Sequence, residues 1–151
     1  MTLRAADRAA RHRRMTSQSD GEQRARQLYD EDVATRALGI ELTEVAVGSA
    51  TVRMTVTPQM LQGHGTCHGG YLFLLADTAF AFACNTRGPA VAAGADMEFL
   101  DPVHEGDELV ATAVERVVRG RRGVYDVTVR RGQEPVAEFR GRSRTVPGPT
   151  P

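Results

Sequence analysis

The segment from about His68 to Asn85 constrains this chain most, because from Tyr71 to Cys84 it is apolar on nearly every side and interrupted by Asp77. A helix that is apolar all round is buried on all sides instead of along one stripe. The run is shorter than the roughly 20 residues that a membrane-spanning helix needs, so the rest of the chain has to enclose it. A chain of 151 residues has room for one packed domain and not for two. The segment is therefore expected to be the core element of a single domain.

What surrounds it reads mainly as strand. Ala50, Val52, Met54 and Val56 alternate with polar residues, and Gly48-Ser49 joins Ala50–Val56 to a preceding strand, Ile40–Val47, as a hairpin. Four more strands are expected at Ala90–Phe99, Glu108–Val118, Gly123–Arg130 and Pro135–Arg144, punctuated by Asp101-Pro102, Gly120 and Arg131-Gly132. Ahead of the first hairpin, Asp20 and Gln23 form a capping-box pattern, and Ala25, Leu28, Val33, Ala37 and Leu38 recur at helical spacing up to Gly39. Residues 1–19 read as a disordered Arg-rich arm, 20–146 as the domain and 147–151 as a tail. The class is α+β, with an antiparallel sheet curled over one buried helix.

Composition removes several functions. The 19 basic and 19 acidic side chains cancel, so nothing draws the chain as a whole onto nucleic acid or an anionic membrane. Every basic residue is Arg, which excludes chemistry at a lysine amine. Cys67 and Cys84 do not make a disulfide scaffold, and the arginines at the N-terminus have no apolar stretch behind them. A reducing, cytoplasmic setting is expected. No dinucleotide or Walker A glycine pattern is present.

The chemistry concentrates in Gly63-His64-Gly65-Thr66-Cys67-His68-Gly69-Gly70 and in Asp77. Glycines at that density mark either a tight lead into the helix or backbone that must approach a ligand. Amides at a helix start lack internal partners and sit at the positive end of the macrodipole, so the Gly69 and Gly70 N–H groups suit a developing oxyanion. Asp77, with Phe73, Leu74, Phe80 and Ala81 around it, is expensive to bury unpaired, and burial raises its pKa. The alternative is that Tyr71–Leu75 form a strand and Asp77 caps a shorter helix. If the helix is continuous, Gly69 and Asp77 lie roughly 12 Å apart along its axis. One subunit then cannot bring both to one carbonyl, whereas a two-fold dimer with antiparallel helices can.

Other readings of these residues remain. His64, Cys67 and His68 are metal-ligand types without a matching second pair, so no metal is expected. Cys67 is read as packing, since adjacent side chains such as Cys67 and His68 point apart. His68 fixes the loop or polarises the carbonyl. Arg119, Arg121 and Arg122, with the alternating Arg140, Arg142 and Arg144, are either a solvated edge or a phosphate contact.

The run Gly63 to Gly70 with Leu75-Ala76-Asp77-Thr78-Ala79-Phe80-Ala81 and Ala83-Cys84-Asn85 resembles the hotdog-fold acyl-CoA thioesterases of the phenylacetate-degradation type. Phe99-Leu100 with Pro102, Gly123-Val124-Tyr125 and Phe139-Arg140-Gly141 extend the likeness from about residue 30 to 144. The resemblance implies a sheet wrapped around a long central helix, a homodimer pairing into a tetramer, and hydrolysis of aryl- or arylacetyl-CoA without a cofactor. It implies Asp77 as general base or nucleophile, the Gly69 N–H as carbonyl donor and His68 in support. Gln62 stands where relatives carry an Asn that holds the water, and Ala92, Ala93, Gly94 and Ala95 stand where some carry a hydroxyl. Leu61, Tyr71, Phe80 and Phe82 are the expected acyl-pocket residues. Two alternatives are a hotdog dehydratase or hydratase with His68 as base, and a non-catalytic acyl-CoA sensor, for which residues 1–19 are too short a DNA-binding module.

Overall fold

The glycine and proline punctuation divides the chain almost where the sequence expects. The computed structural model describes residues 3–148, with the side chains of 3–5 and 16–19 left aside, so the tail beyond 148 lies outside the described residues. In chain order come α1 (Leu3–Glu31), α2 (Val33–Ala37), β1 (Glu41–Ala46), β2 (Ser49–Thr55), a 3-10 turn (Pro58–Met60), α3 (Gly69–Asn85), β3 (Ala90–Phe99), β4 (Glu108–Arg119), β5 (Arg122–Arg131) and β6 (Glu134–Thr145). The strands form one antiparallel sheet in the order β1-β2-β4-β5-β6-β3.

The sheet curls over α3 because each central strand has one apolar face. Val52 and Met54 of β2, Leu109 and Ala111 of β4, Val127 and Val129 of β5, and Val136 and Phe139 of β6 are buried with Leu72, Leu75, Phe80 and Phe82 of α3. This is the hotdog arrangement. After β2 the chain passes under the sheet as α3 and emerges at the far edge as β3, beside β6. Asn85 locks that corner. Its side chain accepts from the Ala90 N–H at 3.0 Å and donates to the Ala81 and Ala90 carbonyls at 2.9 and 3.2 Å.

The structure corrects the expected first helix. α1 begins at Leu3, so Asp20 lies inside it and the capping-box pattern marks no helix start. Of the stretch read as a disordered arm, residues 3–19 form the leading turns of α1, and residues 6–15 are exposed. Ala, Arg and Gln are strong helix formers, and a local capping pattern does not stop a helix whose preceding residues favour continuing. The real break is at Asp32, whose carboxylate accepts from the Thr35 N–H at 2.9 Å and from its hydroxyl at 2.6 Å, capping α2. The second half of α1 docks on the C-terminal end of α3. The Gly21 backbone lies against the Thr86 carbonyl, and the Arg24 guanidinium donates to the Asn85 carbonyl at 3.1 Å.

A second correction concerns α3. Gly70 and Phe73 are exposed, and Asp77, Ala81 and Asn85 are half-buried along the same stripe. One face of this apolar helix is therefore open in a single copy. The adjoining edge strand β3 bonds on one side to β6, and Val91, Phe99 and the following Leu100 are exposed.

Candidate active site

The lead into α3 is built by backbone hydrogen bonds. The Gln62 N–H donates to the Thr66 carbonyl at 2.8 Å and the Gly65 N–H to the Gln62 carbonyl at 2.9 Å, closing a tight loop in which Gly65 takes φ +79°. The Cys67 N–H then donates to the Val103 carbonyl at 2.7 Å and the His68 N–H to the Met60 carbonyl at 2.8 Å. The loop is thus pinned on two sides just before the helix starts.

α3 is one continuous helix, so Asp77 sits within it and does not cap a shorter one. His68 is its N-cap, with Nδ1 accepting from the Gly70 N–H at 3.1 Å. That contact corrects the expected pair of oxyanion donors, because the Gly70 amide is already engaged. The Gly69 N–H has no hydrogen-bond partner among the described residues and lies at the positive end of the helix. With Nδ1 an acceptor, the N–H of the neutral imidazole is the one on Nε2.

Asp77 has no ion pair or hydrogen bond among the described residues, and desolvation lifts its carboxyl above the ordinary carboxylate range. A carboxylate kept basic in this way is a better proton acceptor at neutral pH. Two turns on, the Cys84 thiol is pushed up to about 12, first by burial and then by the charge of Asp77, so it is inert as a nucleophile. Cys67 is buried, and burial raises its thiol as well. His64, Cys67 and His68 do not gather into a group of three ligand-type side chains among the described residues.

Gln62 and Gly69 line a cavity of about 380 Å³, with Cys67, Leu72, Phe99, Leu100 and the turn Asp101–Val103 completing its walls. Its Nε2 donates to the Thr66 hydroxyl at 2.9 Å, which fixes the amide and leaves Oε1 without a partner among the described residues. Of the expected acyl-pocket residues, Leu61 is half-buried and bridges Cys67, and Tyr71 is half-buried against the core. Phe80 does not line the cavity. It is only 1% exposed and packs in the core at a tilt against Tyr125 and Phe139, at 5.6 and 5.8 Å between ring centres. Phe82 is likewise buried, edge-on to Tyr29. An all-apolar helix gives no signal of which rings face a cavity. The sequence does not mark Phe99 and Leu100 as site residues, because the end of β3 meets the start of α3 only in three dimensions.

The arginines separate into two groups. Arg140 pairs bidentately with Asp126 at 2.7 and 2.9 Å, and Arg142 pairs with Asp96 at 2.6 Å. Arg119, Arg121, Arg122 and Arg144 line an open cavity of about 290 Å³ at the opposite end of the strands from Gly69. Arg119 faces Arg122, and Arg122 faces Arg144, directly across the ladder, and among the described residues no acid is in ion-pair range of any of the four. Arg121 Nε donates to the Thr145 carbonyl at 3.1 Å.

Comparison with known proteins agrees with this architecture. The thioesterase superfamily model matches residues 64–138. Acyl-coenzyme A thioesterase PaaI of Escherichia coli K12 is 49% identical over 128 residues, 83% of this chain and 91% of that protein. A putative esterase of Deinococcus radiodurans is 40% identical over 111 residues, 73% of this chain and 76% of that one. The solved structure of the E. coli PaaI protein from the phenylacetic acid degradation operon superposes with a TM-score of 0.83 at 47% identity, covering 87% of this chain and 96% of that one. A mutant of the phenylacetic acid degradation protein PaaI from Thermus thermophilus superposes with a TM-score of 0.75 at 41% identity, over 76% of this chain and 100% of that one. With the fold, the glycine lead into α3 and this identity across most of a known thioesterase, the chain belongs to the thioesterase superfamily, among the hotdog-fold acyl-CoA thioesterases of the PaaI type.

Proposed function

We propose that the chain hydrolyses aryl- or arylacetyl-CoA, of the phenylacetyl or hydroxyphenylacetyl type, to the free acid and CoA in a site shared by two copies. The observation that carries this reading is the placement of a partnerless Gly69 amide and a partnerless Asp77 carboxylate, among the described residues, on one unbroken helix. They are about 12 Å apart along its axis, too far for one carbonyl. A second copy with its α3 antiparallel brings Gly69 of each subunit to Asp77 of the other. The free edge of β3 and the open stripe Gly70–Phe73–Asp77 support such a pairing, since a ten-residue exposed edge is a surface that proteins cover. The exposed Val110, Val114 and Val117 on the outer face of β4 support pairing of dimers into a tetramer.

In this site a water attacks the thioester carbon as Asp77 takes its proton. The carbonyl oxygen gains negative charge facing the Gly69 N–H of the neighbouring subunit. Collapse of the tetrahedral intermediate breaks the carbon–sulfur bond, and the proton returns from Asp77 to the departing thiolate. Gln62 Oε1 orients the water, and His68 holds the helix tip in shape. Leu61 and Tyr71 border the site. Arg119, Arg121 and Arg122, joined by Arg144, take the phosphates of CoA, because guanidinium groups facing one another across strands repel unless an anion lies between them. The acyl class follows from the resemblance to PaaI, whose operon is one of phenylacetic acid degradation.

A thiol-release assay over acetyl-, medium-chain, benzoyl- and phenylacetyl-CoA tests the reading. Release is expected, fastest with the aromatic acyl groups, and is lost in Asp77→Ala while the protein stays folded. Full activity in Asp77→Ala sinks the mechanism. Hydration of a crotonyl-type thioester without thiol release establishes the dehydratase class instead, and tight binding without turnover the sensor.

A further inference from the structure

The cavity next to the Gly69 amide has one wall whose chemistry the reaction above leaves unused. Phe99, the last residue of β3, is 55% exposed, yet the tip of its ring is held against the helix start. A Cβ built on Gly69 would lie 3.0 Å from Phe99 Cζ and 3.1 Å from Cε1. The segment carrying the ring is anchored on both sides. Phe99 pairs with Ala137 in the ladder, the Leu100 N–H donates to the Val136 carbonyl at 2.9 Å, and the Val103 carbonyl accepts from Cys67 at 2.7 Å. The ring is therefore presented by a fixed strand end and not by a loose loop. Leu72, Leu100, Pro102 and Val103 continue its apolar surface around the cavity.

Uncovered apolar surface of this kind gains when something flat and apolar is laid on it. The group that comes nearest the Gly69 amide in the reaction is the thioester carbonyl, and the acyl group is bonded to that carbonyl. The cavity, at about 380 Å³, exceeds the roughly 150 Å³ that accommodates benzene in a protein interior. We propose that Phe99 is a specificity-determining residue that reads the acyl group, packing against an aromatic ring seated in the cavity beside Gly69. The inference rests on the thioesterase reading and adds which residue selects the acyl class. It also gives Gly69 a second requirement beyond its N–H. A methyl at this position would press on the Phe99 ring tip at 3.0 Å and move the ring aside by a few tenths of an ångström.

The test measures kcat/KM for phenylacetyl-CoA and acetyl-CoA with the wild-type protein, Phe99→Ala and Phe99→Leu. Phe99→Ala is expected to lower the phenylacetyl value about tenfold, the size of a lost ring contact, and the acetyl value less than about twofold. Phe99→Leu, which keeps apolar bulk in the strand and removes the ring, falls between. Gly69→Ala retains its N–H but displaces the ring, so its penalty on phenylacetyl-CoA shrinks by about threefold or more in the Phe99→Ala background. An unchanged ratio between the two substrates, or an equal loss on both, overturns the role of Phe99. So does dissociation of the dimer by both variants, which makes the ring an interface residue. A wild-type protein inert toward every CoA thioester overturns the thioesterase reading itself, a result distinct from an active enzyme with an unaltered ratio.

Discussion

The Nδ1 atom of His68 accepts a hydrogen bond from the Gly70 N–H at 3.1 Å, and this contact decides which amide at the tip of α3 is left to meet a substrate. His68→Ala removes the acceptor and is expected to cost about 0.5–2 kcal/mol of stability, the usual range for a lost N-cap. His68→Asn restores an acceptor at the cap and should melt near the wild-type temperature. Thermal melts separate the two variants. Thiol release in His68→Asn then reports what the imidazole Nε2–H contributes apart from the cap.

Asp77 should be a stabilising site to mutate and a fatal one for turnover. Burial holds its carboxyl above the ordinary range, so the folded chain binds that proton more tightly than the unfolded chain does. Stability from this group is therefore lost as pH rises from the unfolded value through the folded one. Asp77→Asn is expected to raise the melting temperature at pH 7, by about 2–4 °C per kcal/mol relieved, with the gain vanishing at strongly acidic pH. The acid limb of wild-type kcat/KM should lie above the usual carboxylate range. Melts and rate profiles across pH check both.

Subunit mixing tests the shared site. Gly69→Pro deletes the amide hydrogen at the first helical position, where proline is tolerated, and Asp77→Ala deletes the base. Each homodimer is expected to be inactive. Random mixing makes about half of the dimers mixed, each with one intact Gly69–Asp77 pair, so roughly a quarter of wild-type activity should return. No recovery after verified exchange would put the site within one subunit.

Arg122 and Arg144 face each other across β5 and β6 with no acid among the described residues to compensate them. Replacing both with Ala should raise KM for a CoA thioester about tenfold or more, as expected for lost charge-assisted contacts to phosphate. The matching pantetheine thioester, which lacks the nucleotide, should be unaffected. Steady-state kinetics on the two substrates provide the comparison. An equal change on both removes these arginines from substrate binding.

The strands were legible because their alternation is strong. The expected bounds of β3, β4, β5 and β6 agree with the structure to within a residue at each end, and Gly48 turns the first hairpin at φ +79°. The start of α3 was legible too, since glycines followed by an unbroken apolar run leave few other conformations. The start of α1 was not. The Asp20–Gln23 pattern is a local signal, and whether the residues before it continue the helix depends on their own propensity.

The sequence by itself determined that one helix, carrying one acid and led by glycines, is the centre of this protein, because apolar periodicity and backbone freedom are written residue by residue. Only the tertiary structure decided that the helix keeps an open stripe, that Phe80 belongs to the core, and that Phe99 lies over Gly69. Those facts depend on which strand becomes the edge and on which ends of distant elements meet. Burial of an apolar helix is equally favourable on every face, so its own residues cannot record which face the fold leaves uncovered.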